Sequence, residues 1–63
     1  MTKIESLQEQ IVKTKVILAE SQENYQKNPE SYSAQLLLLS TENYLGDLLK
    51  ELELLQRAEQ EKL

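Results

Sequence analysis

One break interrupts a chain that otherwise reads as helix from end to end. It is Asn28-Pro29, in the stretch "QKNPES", and it holds the only proline among 63 residues. Asn is a preferred N-cap, and Pro is favoured at the first position of a helix because its missing N–H costs nothing there. The residue before a proline is pushed out of the helical region. These rules predict a first helix ending near Gln26 or Lys27 and a second starting at Pro29, with Asn28 as its cap and Ser31 as the next candidate. At the other end, "TKIE" reads as a capping box, in which Thr2 accepts from the amide three residues on and Glu5 reaches back. The chain is therefore expected to be one domain over residues 1–63, with helix one at about 3–27, a turn at 27–29 and helix two at about 29–61. So short a connection allows only an antiparallel two-helix hairpin.

Apolar spacing points the same way. Ile4, Leu7, Ile11, Leu18 and Tyr25 follow a 3–4 alternation, with Thr14 and Ser21 at two of its positions. Ala34, Leu38, Thr41, Leu45, Leu48, Leu52 and Leu55 do the same in the second half. Both runs are coiled-coil-like seams. Folding at residue 28 makes facing positions sum to about 56, by the uniform rise of a helix. Leu18 then meets Leu38, Ile11 meets Leu45, Leu7 meets Leu48 or Leu49, and Ile4 meets Leu52. Glu9–Lys13, Glu23–Lys27 and Glu53–Arg57 have the favourable i,i+4 orientation.

A seam on each helix leaves the run "LLLL", residues 36–39, only partly used. Successive helical residues lie about 100° apart, so four leucines surround the helix. Leu38 belongs to the seam. Leu37, with Ile17, Tyr44 and Leu48, widens the apolar stripe on one flank. Tyr32, Leu36 and Leu39 point to the other side, where Val12, Val16 and Ala19 repeat the spacing on helix one. Gly46 is a mid-helix residue that costs about 1 kcal/mol relative to Ala. A close approach by a neighbouring helix on the Leu39 side would account for it.

A chain of this length buries only about 60% of its unfolded surface and needs a staple. Cysteine and histidine are both absent, which removes disulfides and the common zinc sites. Oligomerisation remains, and two hairpins make a four-helix bundle. Ile17, Leu37 and Tyr44 are the expected self-association residues. Val12, Val16, Ala19, Tyr32, Leu36 and Leu39 are the expected flank for another protein.

No motif carries chemistry. Ser31, Ser33 and Ser40 have no base beside them, and no glycine-rich phosphate loop occurs. Glu5 and Glu9, and Asp47 and Glu51, are carboxylate pairs on one helix face, without the further ligands a cation site needs. No enzyme activity, cofactor or metal is expected. The net charge of −4 disfavours nucleic acid, which is bound through Lys and Arg on phosphates. Nothing approaches the ~18 apolar residues of a membrane span, and the N-terminus lacks the core of a signal peptide. A cytoplasmic location follows as the expectation.

The functional expectation is a non-catalytic interaction protein that forms a homodimer and binds another protein. The alternative is a structural dimerisation domain of something larger. A third reading comes from layout, which resembles the plasmid-copy-control hairpins that dimerise into RNA-binding bundles. That resemblance is to architecture only and carries no shared motif; Lys3, Lys13, Lys15 and Lys27 are the basic residues on helix one. Glu5, Glu9, Glu20 and Glu23 stand beside them and leave little basic surface.

Overall fold

The structure, a computed structural model, describes residues 2–61. It is all-helical. Helix α1 spans Lys3–Lys27 and helix α2 spans Tyr32–Glu61, and the two pack against each other as a hairpin. The molecule is a rod of 51 × 17 × 12 Å, one helix thick in its short direction. Among the described residues no helix is long and apolar enough to cross a membrane.

Helix α1 starts where its cap chemistry directs. The Thr2 hydroxyl accepts from the Glu5 N–H at 3.1 Å, which is the Thr2 half of a capping box. At its other end the chain departs from the sequence-based expectation. Asn28 does not cap α2. Its backbone N–H donates to the carbonyls of Asn24 and Tyr25, and its side-chain amide donates again to the Asn24 carbonyl at 3.3 Å. Asn28 therefore serves the orphan carbonyls at the end of α1. Its own carbonyl accepts from Ser31 N–H at 3.0 Å, which closes a β-turn over residues 28–31. Pro29 occupies the second position of that turn, where its fixed φ is favoured.

Helix α2 consequently begins at Tyr32 rather than Pro29. Ser31 is its cap, with the hydroxyl accepting from Ala34 N–H at 3.2 Å. The physical reason is distance. Packed helix axes stand about 8–10 Å apart, and a junction of one residue cannot both reverse the chain and cross that gap. A full turn inserted between the helices does so.

The longer turn also moves the register. Facing positions now sum to about 59, the sum of the turn's ends at 28 and 31. At a uniform rise that brings Ile11 level with Leu48, Leu7 with Leu52 and Ile4 with Leu55, about three residues along from the pairs expected from a fold at residue 28. Leu7, Ile11 and Leu48 pack in one cluster with Leu45, Leu52 and Leu55 against it. Leu49 is exposed and takes no seam place.

Buried and half-buried side chains recur at Ile4, Leu7, Ile11, Thr14, Leu18, Ser21 and Tyr25 on α1. On α2 they recur at Ala34, Leu38, Thr41, Leu45, Leu48, Leu52 and Leu55. Leu7, Ile11 and Leu48 form the apolar centre at 5–6% exposure, with Leu45, Leu52 and Leu55 packed against them. Nearer the turn the fully buried residues are Thr14, Ser21, Ala34 and Thr41. Each of the three hydroxyls donates to the carbonyl four residues back, on Gln10, Ile17 and Leu37, at 2.7–2.8 Å. Burying them thus leaves no polar group unsatisfied. The three i,i+4 ion pairs form on the outside, Lys13–Glu9 at 3.2 Å, Lys27–Glu23 at 3.1 Å and Arg57–Glu53 at 2.8 Å.

Candidate interaction surface

Surface is what this molecule has most of. It exposes 5048 Å². A compact monomer of 7.3 kDa exposes roughly 4,200 Å² by the usual scaling of area with mass. Among the described residues no large side chain falls below 2% exposure. A two-helix rod has no third layer to cover its flanks, so every apolar residue off the seam meets water.

One flank can be followed along its length from a single contact. Lys3 Nζ lies 4.0 Å from Glu51 Oε1, across the two helices. Stepping seven residues at a time from Lys3 leads to Gln10, Ile17 and Asn24. The same step back from Glu51 leads to Tyr44 and Leu37. A heptad step returns to nearly the same side of a helix, so all seven share the flank that Lys3–Glu51 marks. Its character changes along the rod. The open end carries the ion pair. Toward the turn it carries Ile17, Leu37 and Tyr44, each about half exposed, at 48%, 49% and 52%. These three lie beside the part of the seam occupied by Thr14, Ser21, Ala34 and Thr41. Leu48, placed by spacing both in the seam and at the edge of this stripe, is part of the core.

On the opposite flank, Val12, Val16 and Ala19 of α1 and Tyr32, Leu36 and Leu39 of α2 are spread over two stripes rather than one patch. Val12, Val16 and Ala19 are exposed along the middle of α1, and Tyr32, Leu36 and Leu39 are exposed in the first turns of α2. Lys15 and Gln22 on α1, and Gln35 and Glu42 on α2, occupy the heptad positions next to the seam on this side, and all four are exposed. A polar lane therefore runs between the valine stripe and the tyrosine–leucine stripe. The Ile17–Leu37–Tyr44 flank has no such lane in its turn-proximal half.

Gly46 lies on the lane side, and nothing in the hairpin comes within 4 Å of where its Cβ would be. A close approach there is not made by α1. Two more exposed leucines are in neither set expected from spacing: by heptad step Leu49 continues the Gln35–Glu42 positions of the lane and Leu54 the Asp47 edge of the other flank. Both fall off the seam of α2 toward the open end, and their signal is that they break the 3–4 alternation. Among the described residues no three His, Cys, Asp or Glu side chains converge on a point that could hold a metal ion. A shallow concavity lies at the turn, lined by Lys27, Asn28, Pro29, Glu30 and Ser31.

No protein-family model matches this chain, and neither the curated proteins nor the solved structures yield a match.

Proposed function

We propose that the protein is a non-catalytic helical interaction module, a hairpin that pairs with a second copy through Ile17, Leu37 and Tyr44 to make a four-helix bundle. The observation that carries this reading is the placement of apolar residues in the turn-proximal half. There the buried seam residues are small or hydroxyl-bearing, Leu18, Tyr25 and Leu38 are only half-buried, and Ile17, Leu37 and Tyr44 stand beside the seam, exposed. Contiguous apolar surface on so small a molecule marks an association site. The flank is also large enough. A face of 51 × 17 Å offers on the order of 800 Å² per copy over its full length, the size of a standard stable interface, of which the turn-proximal apolar half is about 400 Å².

Pairing on this flank leaves Tyr32, Leu36, Leu39, Val12 and Val16 uncovered on the far side, where another protein would dock. Both contacts are made by side chains on rigid helices, and neither needs a pocket.

Sedimentation equilibrium tests the reading. The native chain is expected to dimerise at micromolar concentration, with an apparent mass that rises with concentration toward twice 7.3 kDa. Leu37→Asp should abolish the rise while leaving helical content at high concentration nearly unchanged. Leu36→Gln, on the far side, should not affect it. A single 7.3 kDa species for the native chain at every concentration sinks the proposal.

A further inference from the structure

Resting on that self-association, the charge pattern also decides how the second copy sits. Two hairpins can face each other across this flank in two symmetric ways. A two-fold axis along the rod places α1 beside α2 of the other copy, with both turns at one end. A two-fold axis across the rod stacks α1 on α1 and α2 on α2, with the turns at opposite ends.

The two helices are not electrically alike. Helix α1 holds four lysines, Lys3, Lys13, Lys15 and Lys27, against four acids, and is neutral overall. Helix α2 holds Lys50 and Arg57 against Glu42, Asp47, Glu51, Glu53, Glu59 and Glu61, two cations against six acids, a net of −4. Stacking α2 on α2 brings the two −4 helices together. Like charges placed together across an interface select against that arrangement.

The axis along the rod does the opposite. On this flank and its outer edge, the open half of α1 presents Lys3 and Lys13, and the open half of α2 presents Asp47 and Glu51. These lie at similar heights along the hairpin, as the Lys3–Glu51 contact shows for one pair. Crossing the helices brings each lysine pair toward the partner's acids. It also keeps Ile17, Leu37 and Tyr44 of both copies at one height and the charged ends together.

We infer that the second copy docks on the Ile17–Leu37–Tyr44 flank with the two-fold axis along the rod, so that both turns lie at the same end of the bundle.

The chain has no cysteine, so Glu30→Cys, at the exposed turn, gives a unique attachment point for a nitroxide. Pulsed dipolar spectroscopy on the labelled full chain, at a concentration where it sediments as a dimer, reads the turn-to-turn distance. With helix axes about 8–10 Å apart, turns at one end should give less than about 25 Å between labels. The apolar residues are centred roughly 17 Å from the turn at 1.5 Å per residue, so the crossed stack would give about 35 Å or more. A distance in that longer range overturns the inference and leaves the dimer standing. A labelled chain that sediments only as a monomer, as the unlabelled chain also does, overturns the self-association on which it rests.

Discussion

The two halves of this hairpin bury different things. Toward the open end the seam is filled by Leu7, Ile11 and Leu48, with Leu45, Leu52 and Leu55 around them. Toward the turn it is filled by Thr14, Ser21, Ala34 and Thr41, with Leu18 and Leu38 only half-buried. The first half is stabilised by area removed from water, at about 25 cal/mol per Å². The second is held by its covalent turn and by hydroxyls that bond back to their own helix, which satisfies them without adding apolar burial. Three further large apolar residues of the second half, Ile17, Leu37 and Tyr44, lie outside the seam. One chain thus separates the work of folding, placed at the open end, from the surface available for association, placed near the turn.

That separation is broken most directly by truncating a leucine in each half. Leu48→Ala removes a buried side chain from the centre of the apolar cluster and is expected to cost about 2–5 kcal/mol. In so small a domain that is most of the stability, so the circular dichroism signal of the monomer should collapse at room temperature. Leu38→Ala removes a half-buried one and should cost about half the value of full burial, on the order of 1–2 kcal/mol. Thermal melts at one concentration, low enough to hold both variants as monomers, give the two values side by side. Equal losses would show that the turn-proximal seam carries as much of the fold as the open end, and the contrast would fail.

How far the sequence can be read follows the same division. The hairpin is legible because its signals are local and redundant. Thr2 and Glu5 mark the start of α1, Pro29 marks a reversal, and a 3–4 apolar spacing on either side of it admits no strand. The turn is not legible in detail, because Asn-Pro satisfies two rules at once. Asn28 could cap a helix starting at Pro29, or finish one and open a β-turn with Pro29 second. The choice depends on the carbonyls of Asn24 and Tyr25, which need a donor, and on a gap between helix axes that no local rule contains. The error then travels. Starting α2 three residues later moves the facing levels along the rod without changing which residues lie in the seam. Leu48 is ambiguous for a related reason. Neighbouring heptad positions differ by tens of degrees, so the edge of a stripe and its centre are separated only by the packing itself. The surface residues pose another limit. Spacing places Ile17, Leu37 and Tyr44 on one flank, and what covers a flank is a property of a second molecule.

The turn supplies the next test, since it is what holds the weaker half together. Ser31→Ala removes the cap of α2 and is expected to cost about 1 kcal/mol. Asn28→Ala removes an exposed side-chain bond at the end of α1 but leaves the backbone N–H to Asn24 in place, so its cost should be a few tenths of a kcal/mol. Urea titrations of the two variants check the order. If Asn28→Ala is the more damaging, α2 begins at Pro29 in solution and the register derived from the 28–31 turn is wrong.

The smallest expected effect sharpens the comparison most, because it asks whether the polar seam near the turn is a weakness or merely a difference. Thr14 is buried, and its hydroxyl donates to the Gln10 carbonyl at 2.7 Å. That carbonyl is also a helical acceptor, so deleting the hydroxyl strands no donor and leaves the acceptor served. Thr14→Val keeps the shape and exchanges the hydroxyl for a methyl group in a site already closed to water. The lost hydrogen bond is worth about 1 kcal/mol net, while a buried methyl contributes about 0.8 kcal/mol, and exchanging a satisfied polar group for an apolar one of the same shape ranges from neutral to stabilising. The expected outcome is a change of less than about 0.5 kcal/mol in either direction, measured from the urea midpoint at constant slope. Such a result means that the turn-proximal seam has room to be more apolar than it is and that its thinness is tolerated by the fold. A loss above about 1 kcal/mol would mean that the Thr14 hydroxyl is itself a fastening of the hairpin. The turn-proximal half would then contribute to folding on the same footing as the open end, and the division of labour between the halves would be gone.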